Sequence, residues 1–167
     1  MTTRTLPLII ASALSLASCA TSEQMPFSTA TNCFYPACVI DVAVVEEGGV
    51  RKLKLTNDGN VRMGTRHRLT AIVWNLQTPG YEFRGFGVRP HAGATAVSKA
   101  TSVGQWDSQM ISHNWWYNSV SMTNLNTEPV VLAYDITVYP DRTTGGAPLT
   151  ATAGIVNVPG PNPQLRQ

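Results

Sequence analysis

Ten residues near the C-terminal end of the chain constrain its fold most. From Val130 to Tyr139, the residues Leu132, Tyr134, Ile136 and Val138 alternate with Ala133, Asp135 and Thr137. A period of two puts one set on a buried face and the other on an outer face, so this is a strand. The same reading applies at Arg68 to Leu76, where Thr70, Ile72, Trp74 and Leu76 share a face. Ile40, Val42 and Val44 alternate with Asp41 and Ala43, and Leu53 and Leu55 alternate with Lys52 and Lys54. Shorter candidates are Val61 to Met63, Gln105 to Ile111 with Trp106, Ser108 and Met110 on one side, Tyr117 to Thr123, and Ile155 to Val158. No window offers a convincing amphipathic helix. The expectation is an all-β, antiparallel sandwich of seven to nine strands, immunoglobulin-like or cupredoxin-like, with Trp74, Leu132, Tyr134 and Ile136 in its core.

Turn chemistry divides the strands. Glu47-Gly48-Gly49, Thr78-Pro79-Gly80 and Asp141 to Gly146 read as turns, and Asn57-Asp58-Gly59-Asn60 predicts a hairpin. Tyr81, Phe83, Phe86 and Val88 change phase across Gly85, which predicts a bulge or bend. Arg89 to Gly104 is rich in Ala, Gly, Ser and Thr and reads as a long loop.

The N-terminus is an address. Arg4 is followed by an apolar or small run from Leu6 to Leu16, too short to span a bilayer as a helix. Leu16-Ala17-Ser18-Cys19 then resembles the bacterial lipobox. That resemblance implies cleavage before Cys19 and acylation of Cys19, with Ala20 at the next position implying transport to the outer membrane. Several acyl chains on one cysteine hold far more firmly than one. The expected organisation is a signal peptide at 1–18, a lipidated tether at 19–31, the sandwich at 32–158 and a Pro-rich tail at 159–167. The partner this implies is the membrane itself, through the N-terminal lipid, with the domain facing the periplasm.

Cys33 and Cys38 are then an even remainder in an oxidising compartment, and Pro36 between them favours a turn. They read as a structural disulfide closing a short loop, worth about 2 kcal/mol in the chain-entropy account. A zinc site needs four ligands in matched spacings, and the redox motif has two intervening residues rather than four.

The run Ile72-Val-Trp74-Asn-Leu76-Gln-Thr78-Pro-Gly80-Tyr81-Glu-Phe83, then Tyr134-Asp-Ile136-Thr-Val138-Tyr139, then Ile155-Val-Asn157, resembles a group of small exported proteobacterial proteins. They share a Trp strand, a Thr-x-Gly-aromatic turn, a late Tyr-rich strand and a terminal Ile-x-Asn. The resemblance implies a fold from Ile40 to Asn157 and no activity. This chain departs from the group by extra residues around Ala92 to Val103.

Reactive sets are hard to find. Blue copper needs two His, a Cys and an axial Met, but the histidines His67, His91 and His113 have no free cysteine beside them. Met63, Met110 and Met122 read better as inward strand residues than as metal ligands. Asp107, Ser108 and His113 supply triad residue types, yet along a strand they do not converge. Glu46 and Glu47 sit in a turn and Asp135 stands alone on its strand, so no carboxylate pair forms. The expectation is therefore no catalysis, no cofactor and no metal, with a copper carrier or a small periplasmic enzyme as the alternative. Charge adds little: 12 basic residues stand against 10 acidic ones, and loss of Arg4 with the signal leaves 11 bases. Six bases lie between Arg51 and Arg68, where they suit solvent faces and edge strands. Nucleic acid is excluded by compartment.

Trp115-Trp116-Tyr117 is the most suggestive feature. Adjacent residues of a strand face both ways, so at least one ring should lie outside the core. In the plainer arrangement Trp116 covers one end of the core and Trp115 lies against the long loop. In the other, an exposed ring stacks on a sugar or binds a protein, making these three the partner-binding candidates of an envelope module for a protein, glycan or polymer.

Overall fold

The computed structural model describes residues 29–33, 37–64, 69–93 and 103–158. Cys19, most of the expected tether, the 159–167 tail and His67 lie outside them. The described residues form an all-β sandwich. No helix among them is long and apolar enough to cross a membrane.

Among the described residues eleven strands run in chain order: β1 (Thr31–Cys33), β2 (Ala37–Glu47), β3 (Val50–Leu55), β4 (Val61–Met63), β5 (Thr70–Leu76), β6 (Tyr81–Glu82), β7 (Val88–Pro90), β8 (Met110–Trp116), β9 (Ser119–Asn124), β10 (Val131–Pro140) and β11 (Leu149–Val156). One sheet has the order β3-β2-β5-β9-β8; the other runs β1-β4-β11-β10-β6, with β7 also paired to β10. The strands exceed the expected nine because β1, from the last residue of the expected tether to Cys33, adds one at the start of the domain and the 81–88 segment splits in two. The sheets are also not purely antiparallel: β1 with β4, β4 with β11, and β2 with β5 are parallel pairs.

Two local expectations are corrected. Asn57-Asp58-Gly59-Asn60 makes no hairpin. Asn57, Asp58 and Gly59 do take the positive φ values (49°, 55° and 77°) that such residues favour. But β3 pairs with β2 and β4 pairs with β1 and β11, so the 3-10 turn Thr56–Gly59 carries the chain from one sheet to the other. Gly59 is buried there, and a Cβ on it would lie 2.9 Å from the Cβ of Ala153 and 3.0 Å from the Tyr134 hydroxyl. The second correction is Gln105 to Ile111. It is not one strand but a helix, α1 (Val103–Gln109), running directly into β8. Trp106, Gln109 and Met110 are buried at i, i+3 and i+4, the spacing of one helical face.

The core forms where the two inner faces meet. Thr70, Ile72, Trp74 and Leu76 of β5 point in, as do Leu132, Tyr134, Ile136 and Val138 of β10. Trp74 meets Tyr134 edge-on at 5.4 Å between ring centres. Its indole N–H donates to the Tyr134 hydroxyl at 3.1 Å, and that hydroxyl donates to the Gly59 carbonyl at 2.5 Å. Burial pushes the phenol's pKa well up, so it stays protonated and remains a donor. Cys33 and Cys38 are bonded, with Cα atoms 5.1 Å apart. Because β1 and β2 belong to different sheets, this bridge ties the two layers together at one corner.

Candidate functional site

Among the described residues β8 is an end strand of its sheet, joined to β9 through a tight turn at Tyr117 and Asn118. Ser112 has φ 55°, and the pairing shifts between Ile111 and Asn114, so a bulge resets the strand's phase before its aromatic residues. Trp115 then lies opposite Val120, and Trp116 opposite Ser119. Directly opposed residues share a face. Trp115 is therefore on the face of the buried Val120, and Trp116 is on the outer face.

All three aromatic residues are nevertheless exposed: Trp115 by 39%, Trp116 by 57% and Tyr117 by 69%. This departs from the plainer arrangement, in which Trp116 would have covered the end of the core. An end strand has a neighbour on one side only, so even its inward residues sit at the rim. Trp115 and Tyr117 pack on one another with ring centres 5.7 Å apart, tilted by 54°. The turn beneath them is fixed: the Tyr117 carbonyl accepts from the Phe83 N–H at 2.7 Å, and the Asn118 carbonyl from the Leu76 N–H at 2.8 Å.

The expected bend at Gly85 supplies a fourth ring. β6 and β7 pair with successive lengths of β10, and the chain between them swings outward. Gly85 and Gly87 both have positive φ, and a Cβ on Gly87 would come 2.8 Å from Val120 Cγ2. Phe86 is thrown 59% into solvent, with its ring 4.9 Å from that of His113. His113 Nε2 bonds the Phe86 carbonyl at 3.0 Å, and the Arg89 guanidinium lies over the Phe86 ring. Phe86, Val88, Trp106, Met110, His113 and Met122 line a groove of about 570 Å³ on this side of the sandwich.

The opposite end strand of the same sheet differs in kind. β3 exposes Arg51, Lys52 and Lys54. Lys52 Nζ lies 2.5 Å from Glu47, and this hydrogen bond holds the Glu47 carboxyl below the usual carboxylate range. Arg51 donates to the Tyr81 hydroxyl at 3.2 Å. Such charges discourage strand addition. By contrast, from Ser108 to Thr127 the sequence has no Asp, Glu, Lys or Arg.

The other candidates scatter. Ser108 donates to the Gln105 carbonyl at 2.9 Å, and His113 faces Phe86, so the triad residue types do not meet. Asp135 is not alone: its two oxygens lie 2.9 and 3.0 Å from His91 Nδ1, and one accepts from Thr152 at 2.5 Å. That geometry orients an imidazole. The Thr152 hydroxyl, however, is spent on the carboxylate and not offered to the ring. The pair was invisible in sequence because 44 residues separate its members and only strand pairing brings β7 beside β10. Met110, Met122 and His113 do share the groove, whereas Met63 is buried on β4. Among the described residues no group of three or more His, Cys, Asp or Glu is placed to hold a metal.

A buried polar cluster was also missed. Gln109 at the end of α1 meets Asn124 at the end of β9 and Asn157 beyond β11. Asn157 donates to Gln109 Oε1 at 3.0 Å and accepts from Asn124 at 2.9 Å. Asn157 closes the run Ile155-Val156-Asn157, and its buried amide joins all three side chains of the cluster. Comparison with known proteins gives no match, either to a family model or to a curated sequence.

Proposed function

We propose that this chain is a non-catalytic envelope lipoprotein: a binding or accessory module anchored through Cys19 in the outer membrane, facing the periplasm, that holds a protein, glycan or envelope polymer at its aromatic edge. The observation that carries this reading is the exposure of Trp115, Trp116 and Tyr117 on an uncharged end strand and its turn. Solvating three large rings is unfavourable, and a sandwich core needs only alternate positions. The turn is braced by backbone hydrogen bonds to Leu76 and Phe83, so the rings are presented on rigid backbone. Rigid aromatic side chains lose little entropy on binding and dominate the energetics of many interfaces.

Two experiments test it. Cys19→Ser should abolish the acylated mass and release the protein from membranes; a variant that keeps both overturns the anchor. For recognition, crosslinking in intact envelopes should capture a partner. Trp115→Ala should weaken that capture while changing stability by less than about 1 kcal/mol, as exposed substitutions do. Capture unaffected by this change would remove the aromatic edge from the reading.

A further inference from the structure

Trp116 ends a row of hydrogen-bonding side chains that crosses the outer face of its sheet. The register places Trp116 opposite Ser119, Ser119 opposite Asn75, and Asn75 opposite Asp41. A second row runs parallel, polar at Asn114 and Ser121 beside Trp116 and apolar beyond, at Val73 and the exposed Val39. Side chains in such a row stand on the same face, with neighbours close enough to serve one ligand. The side chains of Asn75, Ser119 and Ser121 make no hydrogen bond to any described residue, whereas that of Asp41 accepts from Gln77 at 2.7 Å. The residues between the ring and Asp41 are small, so the ring stands at the end of a shelf of hydroxyl and amide groups.

We infer that this shelf is a binding site for a neutral glycan chain, with Trp116 stacking on the face of one sugar ring and Ser119, Asn75 and Asp41 meeting the hydroxyls of the next. The inference rests on the proposed role of the aromatic edge and names the ligand class. Three features select that class. A pyranose has an apolar face and a polar rim, and so matches an indole set beside free amides and hydroxyls. An anionic polymer would want cations around the stacking ring, yet β5, β8 and β9 carry no Lys or Arg, and the bases of β3 stand beyond the Asp41 end of the row, at the far side of the sheet from Trp116. A protein partner would want a desolvated apolar centre, and a row of Ser and Asn beside Trp116 would leave polar groups to be paired there.

The test uses the chain's four tryptophans. In the full-length protein labelled with ¹⁵N-tryptophan, Trp74 and Trp106 are buried and report on folding, while Trp115 and Trp116 report on the edge. The probes are the hexasaccharides of β-1,4-glucose, β-1,4-N-acetylglucosamine and α-1,4-glucose. At least one should shift the Trp116 indole signal to saturation and leave Trp74 in place. Trp116→Ala and Asn75→Ala should each weaken that binding about tenfold or more, a change of about 1.4 kcal/mol. No shift with any of the three overturns the inference, and so does saturable binding that Trp116→Ala leaves unchanged. If the sugars fail but envelope crosslinking still depends on Trp115, the partner is a protein and only the glycan assignment falls. If both fail, the aromatic edge is not a recognition site at all.

Discussion

Trp74→Ala should destabilise the domain by about 3–5 kcal/mol, the usual cost of deleting a large core aromatic residue. Against a total stability of about 5–15 kcal/mol, that is a large share. The argument is geometric. Trp74 is fully buried on the central strand of its sheet, so the cavity left by an alanine cannot fill from a nearby edge. The indole also donates to Tyr134, whose hydroxyl bonds the Gly59 carbonyl at the crossing between sheets. One ring thus supports both the layer contact and the turn that carries the chain across. Tyr134→Phe separates the two contributions. It keeps nearly all the volume but strands a buried indole N–H and a buried carbonyl, at about 1–3 kcal/mol each. Urea denaturation measures both variants. A change below about 1 kcal/mol for Trp74→Ala would mean that β5 faces the other way.

β5 and β10 were legible because their alternation is strict and their inward residues are large. Elsewhere the sequence was ambiguous for identifiable reasons. Trp106, Ser108 and Met110 have the spacing of a strand, and the exposure of Ser108 with the burial of Gln109 distinguishes the helical alternative. A helix of seven residues is too short for its period to override such a coincidence. Asn57 to Asn60 carries the local signals of a tight turn and adopts positive φ, but local chemistry does not specify which strand the chain pairs with next. The exposure of Trp115 depends on β8 being last in its sheet, and strand order is set by long-range pairing. The same holds for His91 and Asp135. Local periodicity revealed the core, while the candidate site depended on sheet edges and a bulge.

The buried cluster around Gln109 gives the second large expected effect. Gln109 is fully buried, and its side chain connects three segments. Its Oε1 accepts from the Thr127 N–H at 3.1 Å, the Thr127 hydroxyl at 3.2 Å and Asn157 Nδ2 at 3.0 Å. Its Nε2 lies 2.9 Å from the Thr127 hydroxyl, and its backbone carbonyl accepts from Leu125. The network continues through Asn157 to Asn124, whose Oδ1 accepts from the Asn126 N–H at 2.6 Å. Gln109→Met keeps the length and nearly the volume of the side chain, so packing changes little. What it removes is the shared acceptor, leaving the buried amide donor of Asn157 without it, while the N–H of the exposed Thr127 can turn to water. At about 1–3 kcal/mol for a stranded buried group, the expected loss is about 1–3 kcal/mol. Because the network joins the helix that precedes β8 to the ends of β9 and β11, hydrogen exchange should speed up there before it does in β5 and β10. Gln77→Met is the control: Gln77 is exposed, bonds only Asp41 through its side chain, and should change stability by about 0.5 kcal/mol or less. If Gln109→Met matches that control in urea, the cluster contributes no net stability, and the end of the sandwich is held by its apolar neighbours Trp106, Met110 and Met122 instead.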